Sequence, residues 1–204
     1  ALADAISFVH QPPQAKKLHT LLDGSHPMVQ RLCFEELLAQ RLSVRQLRRN
    51  ARKNHAPECL DKKLLTAQLI KALPFTLTGA QQRCISEISA DMASHKPMLR
   101  LLQGDVGSGK TLVALMAMLQ AIENGHQAAL MAPTEILAEQ HYQHFCDLAG
   151  NLGLNTVFLT GGLGAKQKRE NLEAIANGSA GLIVGTQALF QQAVEFASLG
   201  LVIV

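Results

Sequence analysis

The stretch QGDVGSGKTLVALM, residues 103–116, decides the fold of this chain. Positions 104–111 follow the pattern G-x-x-x-x-G-K-T, and the apolar run LRLL at 99–102 leads into it. We predict a strand over MLRLLQ (98–103), a glycine-rich loop, and a helix from about Lys110 to Asn124 that is closed by Gly125. This order of elements is typical of a loop that binds phosphate groups.

The residue types of the loop suit a nucleotide. Glycines let the backbone curl so that its N–H groups face phosphate oxygens, and the following helix presents its positive end to the anion. Lys110 would reach the β- and γ-phosphates, and the Thr111 hydroxyl would bind Mg²⁺. A glycine-rich turn without a ligand is the alternative. The predicted binding residues are Gly104, Asp105, Val106, Gly107, Ser108, Gly109, Lys110 and Thr111, with Lys110 and Thr111 also taking part in catalysis.

The segment PFTLTGAQ (74–81) is a second candidate element of this site. We expect a helix with Thr78 at its N-cap, which puts Gln81 in or near the first turn. A glutamine amide can both donate to and accept from an adenine edge, and Phe75 could stack on the face of the base. Taken alone, the two residues would by default be a surface glutamine and a core phenylalanine, and it is their position just ahead of the glycine-rich loop that favours a role in nucleotide binding.

From Phe75 onward, short apolar runs alternate with helical patterns. The predicted strands after the loop are QAALMAP, LNTVFLTG, AGLIVGT and GLVIV, and the helices between them are TEILAEQHYQHFCDLAG and AKQKRENLEAIANG. This alternation predicts an α/β fold with a parallel sheet covered by helices on both faces.

Residues 1–73 are predicted to form an all-α linker segment ahead of an α/β domain at 74–204. One long helix is expected between Pro27 and Pro57, and a shorter one over DKKLLTAQLIKAL (61–73), stopped by Pro74. Residues 1–72 carry 12 Lys and Arg against 6 Asp and Glu, whereas residues 73–204 carry 7 against 10. On the long helix, an arginine stripe is expected beside an apolar stripe; their residues are Arg41, Arg45, Arg48 and Arg52, and Leu37, Val44, Leu47 and Ala51. The arginines either cover the apolar stripe or pair with carboxylates or DNA phosphates.

Composition excludes several classes of protein. No apolar run reaches the roughly 18 residues of a membrane span. The four cysteines form no C-x-x-C pair, which is typical of reduced cytoplasmic thiols. The first residues lack the basic start and apolar stretch of a signal peptide, and we expect the chain to be an internal piece of a longer protein.

Four segments together resemble the first motor domain of a superfamily 2 DNA helicase. They are LTGAQ (77–81), QGDVGSGKTLVA (103–114), MAPTEILAEQH (131–141) and IVGTQALFQ (183–191). Within that superfamily the chain most resembles the RecG family of branch-migrating helicases, and the resemblance runs through RLCFEELLAQRL (31–42) and KALPF (71–75) as well. GDVGSGKT is also shared with the Mfd family and is close to the PriA pattern, so the arginine-rich helix is what favours RecG.

The resemblance implies a RecA-like P-loop fold and a set of roles. Gln81 would recognise adenine, and Gly104–Thr111 would hold ATP and Mg²⁺. A nucleic-acid strand would lie beside two loops, which contain Pro133, Thr134 and Glu135, and Gly185 and Thr186. The implied partners are branched DNA, such as replication forks and Holliday junctions in recombination and repair, and a second RecA-like domain that supplies an arginine finger. The implied location is the cytoplasm.

The resemblance also shows what the chain lacks. Such helicases have an acidic pair after a strand, and we expect GLVIV (200–204) to be that strand, with the chain ending just before the pair. The sequence therefore predicts nucleotide binding without hydrolysis by this chain alone. The alternatives are a PriA-like or Mfd-like translocase, a P-loop kinase or GTPase-like switch, and a non-catalytic nucleic-acid-binding module. A kinase would usually offer an arginine-rich lid, and the only Lys or Arg residues in 112–204 are Lys166, Lys168 and Arg169.

Overall fold

The computed structural model describes residues 2–12, 18–51 and 53–204. Contacts divide the chain into two compact units, residues 1–54 and 55–204. The predicted domain boundary at 73/74 therefore differs from the division by contacts, because residues 55–72 pack with the second unit. How the domains divide by function stays a prediction.

The first unit is helical, with α1 at Leu2–His10, α2 at Leu18–Leu22 and α3 at Pro27–Ala51. The predicted long helix is thus confirmed as α3. Helix α1 packs on α3, where Ala5 is fully buried, and the Phe8 ring stacks on His26 with 4.2 Å between centroids.

The two predicted stripes of α3 are both exposed to solvent. Leu37 and Leu47 of the apolar stripe are 64% and 68% exposed, and the arginines at 41, 45 and 48 are exposed as well. Arg52 and the side chain of Ala51 lie outside what the structure describes. The role of the arginines therefore stays a prediction, with two alternatives: they cover the apolar stripe, or they pair with carboxylates or DNA phosphates.

The second unit is a parallel sheet with helices on both faces, as predicted. Its strands are β1 (Gln127–Met131), β2 (Thr156–Leu159), β3 (Leu182–Gly185) and β4 (Leu199–Ile203), in the order β2-β3-β1-β4. Its helices are α4 (Leu65–Ala72), α5 (Gly79–Met92), α6 (Lys110–Glu123), α7 (Glu135–Ala149) and α8 (Ala165–Ala176). Strand β3 is completely buried, which explains its unbroken apolar sequence LIVG.

Alternating strand residues form two hydrophobic cores. Ala128 and Leu130 of β1 belong to the core under α4, α5, α6 and α7, whereas Ala129 belongs to the core under α8. Because strand side chains alternate between faces, the one sheet fills both cores. Helix α6 is the most buried helix, with nine buried residues in 14.

Two predicted elements differ from the structure. Residues 98–103 form no strand, because among the described residues they pair with no neighbour and a strand exists only through pairing. The predicted helix at 61–73 begins only at Leu65, after Lys63 adopts a left-handed φ of 53°.

The segment 55–66 is held onto α6 mainly through its own backbone. The buried Gln120 donates from Nε2 to the Cys59 carbonyl oxygen at 2.7 Å, and Asn124 donates to the Leu60 carbonyl oxygen at 2.8 Å. The Glu123 carboxylate accepts from the Thr66 N–H at 2.8 Å. These contacts make the segment an integral part of the second unit.

Candidate functional site

The glycine-rich loop is stabilised by its own lysine. Gly107 and Gly109 both have φ of 81°, a left-handed conformation that favours glycine, and Gly109 is the N-cap of α6. The Lys110 amine donates to the carbonyl oxygens of Gly104 at 2.7 Å and Asp105 at 2.8 Å. The loop therefore curls around the amine at the N-terminal end of α6, where the helix dipole is positive.

The structure joins Gln81 to this loop, whereas its predicted recognition of adenine stays a prediction. Thr78 caps α5 with a reciprocal pair of hydrogen bonds: its hydroxyl accepts from the Gln81 N–H, and Gln81 Oε1 accepts from the Thr78 N–H at 2.9 Å. Gln81 Nε2 then donates to the Ser108 carbonyl oxygen at 3.0 Å. A β-carbon on Gly109 would overlap Gln81 Nε2, so a glycine at this position also leaves the space that the Gln81 side chain occupies. Phe75 lies in the preceding bend and is 54% exposed.

An ion-pair cluster holds the segment that leads into the loop. The Arg100 guanidinium lies 2.7 Å from Asp91 and 2.6 Å from Glu87, both on α5. Hydrogen bonds to Asp91 and then to Glu87 raise the pKa of Arg100. Helix α5 thus contacts the glycine-rich loop through Gln81, and it also binds Arg100 in the segment that precedes the loop. Sequence spacing alone did not indicate these contacts.

The other predicted site residues lie where strands end. Pro133, Thr134 and Glu135 follow β1, and Gly185 and Thr186 stand at the end of β3, so the parallel neighbours β1 and β3 bring both groups to one edge of the sheet. Helix α6 packs on β1 and is joined to the start of that strand by a short turn, so the N-terminus of α6 faces the same edge.

Both threonine hydroxyls at this edge bond to nearby backbone. Thr134 caps α7 by accepting from the Leu137 N–H at 3.3 Å, and Thr186 accepts from the Ala188 N–H at 3.5 Å. The Glu135 carboxylate accepts from the Gly162 N–H at 3.0 Å. The loop 160–162 after β2 therefore belongs to the same surface. Its sequence Thr-Gly-Gly, directly after a predicted strand, is the feature from which sequence analysis could have identified this loop.

Among the residues that the structure describes, no group of three His, Cys, Asp or Glu side chains is placed to hold a metal ion. No described helix has the length and apolar character needed to cross a bilayer.

Residues 78–204 match the model of the DEAD/DEAH box helicase family. The chain therefore belongs to the DEAD/DEAH box helicases. It is similar to the ATP-dependent DNA helicase RecG of Escherichia coli K12, with 48% identity over 203 residues. It is also 40% identical to the RecG of Aquifex aeolicus over 206 residues. These matches cover all of this chain but only 29% and 26% of the two relatives.

A solved structure supports the fold as well. The structure of RecG bound to a three-way DNA junction matches 85% of this chain with a TM-score of 0.78 and 42% identity, and the match covers 24% of that chain. The fold is accordingly the RecA-like α/β fold that the sequence predicted.

Proposed function

We propose that this chain is the nucleotide-binding part of an ATP-dependent DNA helicase that remodels branched DNA in recombination and repair. The observation that carries the proposal is the loop 104–111, which is curled around Lys110 at the start of α6 and contacted by Gln81. The similarity to RecG across the whole chain supports branched DNA as the substrate and the cytoplasm as the location.

The residues of the loop fit ATP with Mg²⁺. The Lys110 amine, now bonded to two carbonyl oxygens of the loop, is placed to exchange them for phosphate oxygens, which bind a cation more strongly. The Thr111 hydroxyl stands one residue into α6, where it would hold the magnesium ion. ATP with Mg²⁺ would supply the phosphoanhydride bond whose cleavage drives movement, and the chain would bind and orient it.

At the strand ends we propose contacts with the DNA backbone. The edge residues Pro133, Thr134 and Thr186 present small side chains and backbone groups, which suit contacts that ignore base sequence. We propose that Gly185, which is buried at the end of β3, acts by positioning Thr186. We assign Glu135 a positioning role at this surface, because its carboxylate is bound to the Gly162 N–H and would repel a phosphate.

The proposal is tested by comparing this chain with the full-length protein that contains it. We expect the chain to bind a fluorescent ATP analogue without turnover, and the full-length protein to show ATPase activity that branched DNA stimulates. An arginine finger from a second motor domain is worth on the order of 10³–10⁵ in rate, which the chain alone does not receive. ATPase activity of the full-length protein that is indifferent to DNA would contradict the helicase assignment.

The base preference tests Gln81 separately. If its amide recognises adenine, ATP should bind roughly 5- to 100-fold more tightly than GTP, as expected of a bidentate amide contact. Gln81→Ala should remove this preference and leave the affinity for inorganic triphosphate nearly unchanged. Gln82→Ala, one position along the same helix, is the matched control. Equal binding of ATP and GTP by the unmutated chain would refute the assignment.

A further inference from the structure

Helix α5 is joined to the glycine-rich loop and to the segment before it at two separate places. In its first turn, Gln81 Nε2 donates to the Ser108 carbonyl oxygen at 3.0 Å. Further along, the Arg100 guanidinium binds two carboxylates one turn apart: Nη1 lies 2.6 Å from Glu87 Oε2, and Nη2 lies 2.7 Å from Asp91 Oδ2. At about 1.5 Å per residue, Gln81 and Glu87 are about 9 Å apart along the helix axis. Two contacts at this separation set the direction of α5 as well as its position.

Only one of these two contacts lies at the proposed adenine site. Movement of the Gln81 amide toward a base lengthens its hydrogen bond to Ser108, whereas the ion pairs of Arg100 lie more than one turn away from that amide. The buried side chains of Ile88 and Met92 also attach α5 to the core, but apolar contacts have no preferred direction. The ion pairs of Arg100 are therefore the directional contact that remains when a base is bound.

We propose that Arg100 is a positioning residue for the recognition of adenine: by binding Glu87 and Asp91 it holds α5 where Gln81 reaches the base. The inference rests on the proposed function and deepens it by naming a residue outside the glycine-rich loop on which the base preference depends. A guanidinium suits this task because its planar fork of donors can bind both carboxylates at once in a fixed geometry.

The ratio of the affinities for ATP and GTP tests this role, because both nucleotides carry the same phosphates. The two nucleotides and inorganic triphosphate are each competed against a fluorescent ATP analogue bound to the chain, at low ionic strength, where exposed ion pairs are strongest. Arg100→Gln should lower the ratio roughly 2- to 10-fold, as expected for two exposed ion pairs, and leave the affinity for triphosphate unchanged. Lys96→Gln removes the same charge from an exposed bend of the same segment and should change neither.

A second variant tests the pairing itself. Asp91→Asn keeps the arginine and removes one of its partners, so it should lower the ratio in the same direction. Combined with Arg100→Gln it should lower the ratio no further, because the two residues act through one contact. In the full-length protein with saturating branched DNA, Arg100→Gln should raise the KM for ATP and leave kcat within about twofold, as expected when binding of the base alone is weakened.

Each outcome decides the matter. A lower ratio with unchanged triphosphate affinity supports the proposal, and Asp91→Asn gives the same information if Arg100→Gln fails to fold. An unchanged ratio, in a chain where Gln81→Ala abolishes it, overturns the role of Arg100 while adenine recognition stands. An equal loss of affinity for all three ligands also overturns it, because the ion pairs would then shape the glycine-rich loop. A chain without base preference overturns the roles of both Arg100 and Gln81, whereas stimulation of the ATPase by DNA decides the helicase assignment separately.

Discussion

Replacing Lys110 with alanine is expected to lower the DNA-stimulated ATPase rate of the full-length protein by a factor on the order of 10²–10³. The side chain is the cation of the loop and lies at the start of α6, where the γ-phosphate would be held. Steady-state phosphate release with saturating DNA measures the effect.

Lys96→Ala removes the same charge from an exposed turn and serves as the control. Because Lys110 also bonds to the loop itself, the melting temperature of each variant must be recorded beside its rate. A Lys110→Ala protein that folds normally and hydrolyses ATP at the unmutated rate would contradict the assignment of the loop.

Gly185→Ala is expected to reduce the free energy of unfolding by about 2–4 kcal/mol. Gly185 pairs with Leu159 of β2 and Met131 of β1, and a β-carbon there would overlap the Leu159 carbonyl oxygen. The same oxygen accepts from the Thr186 N–H at 3.2 Å, so making room for the methyl group would also break that hydrogen bond.

Urea unfolding followed by circular dichroism measures this effect, and Gly150→Ala is its matched control. A β-carbon on Gly150 would meet nothing within 4 Å, and the Gly150 φ of −57° suits alanine. We therefore expect Gly150→Ala to be neutral or to stabilise by up to about 1 kcal/mol. Equal stability of the two variants would show that the end of β3 can move away from β2.

The parts of the fold that the sequence predicted depend on local signals. A few consecutive residues specify each of three features: the glycine-rich loop, the cap at Thr78, and the alternation of strands and helices. These features were sufficient to predict α5, α6 and the parallel sheet. The strand expected at 98–103 failed because pairing depends on a neighbour that an apolar run does not reveal.

Long-range contacts account for what the sequence could not reveal about the site. Arg100 meets α5 across 9 and 13 residues, and Glu135 meets Gly162 across 27. No spacing rule covers such pairs, because the fold alone brings them together. Gln81 is the intermediate case: its place in the first turn was predictable, whereas its hydrogen bond to Ser108 depended on how the loop curls.

The attachment of residues 55–66 to α6 has a consequence for how this unit can change during evolution. The side chains of Gln120 and Glu123 on α6, and of its C-cap residue Asn124, bind two carbonyl oxygens and one N–H group of that segment. Every non-proline amino acid provides the same backbone groups, so most exchanges within the segment leave these three contacts intact. The selective constraint therefore falls on one face of α6 and on the buried side chains of Cys59 and Thr66, whereas the exposed residues of the segment are free to diverge in sequence while it keeps its path.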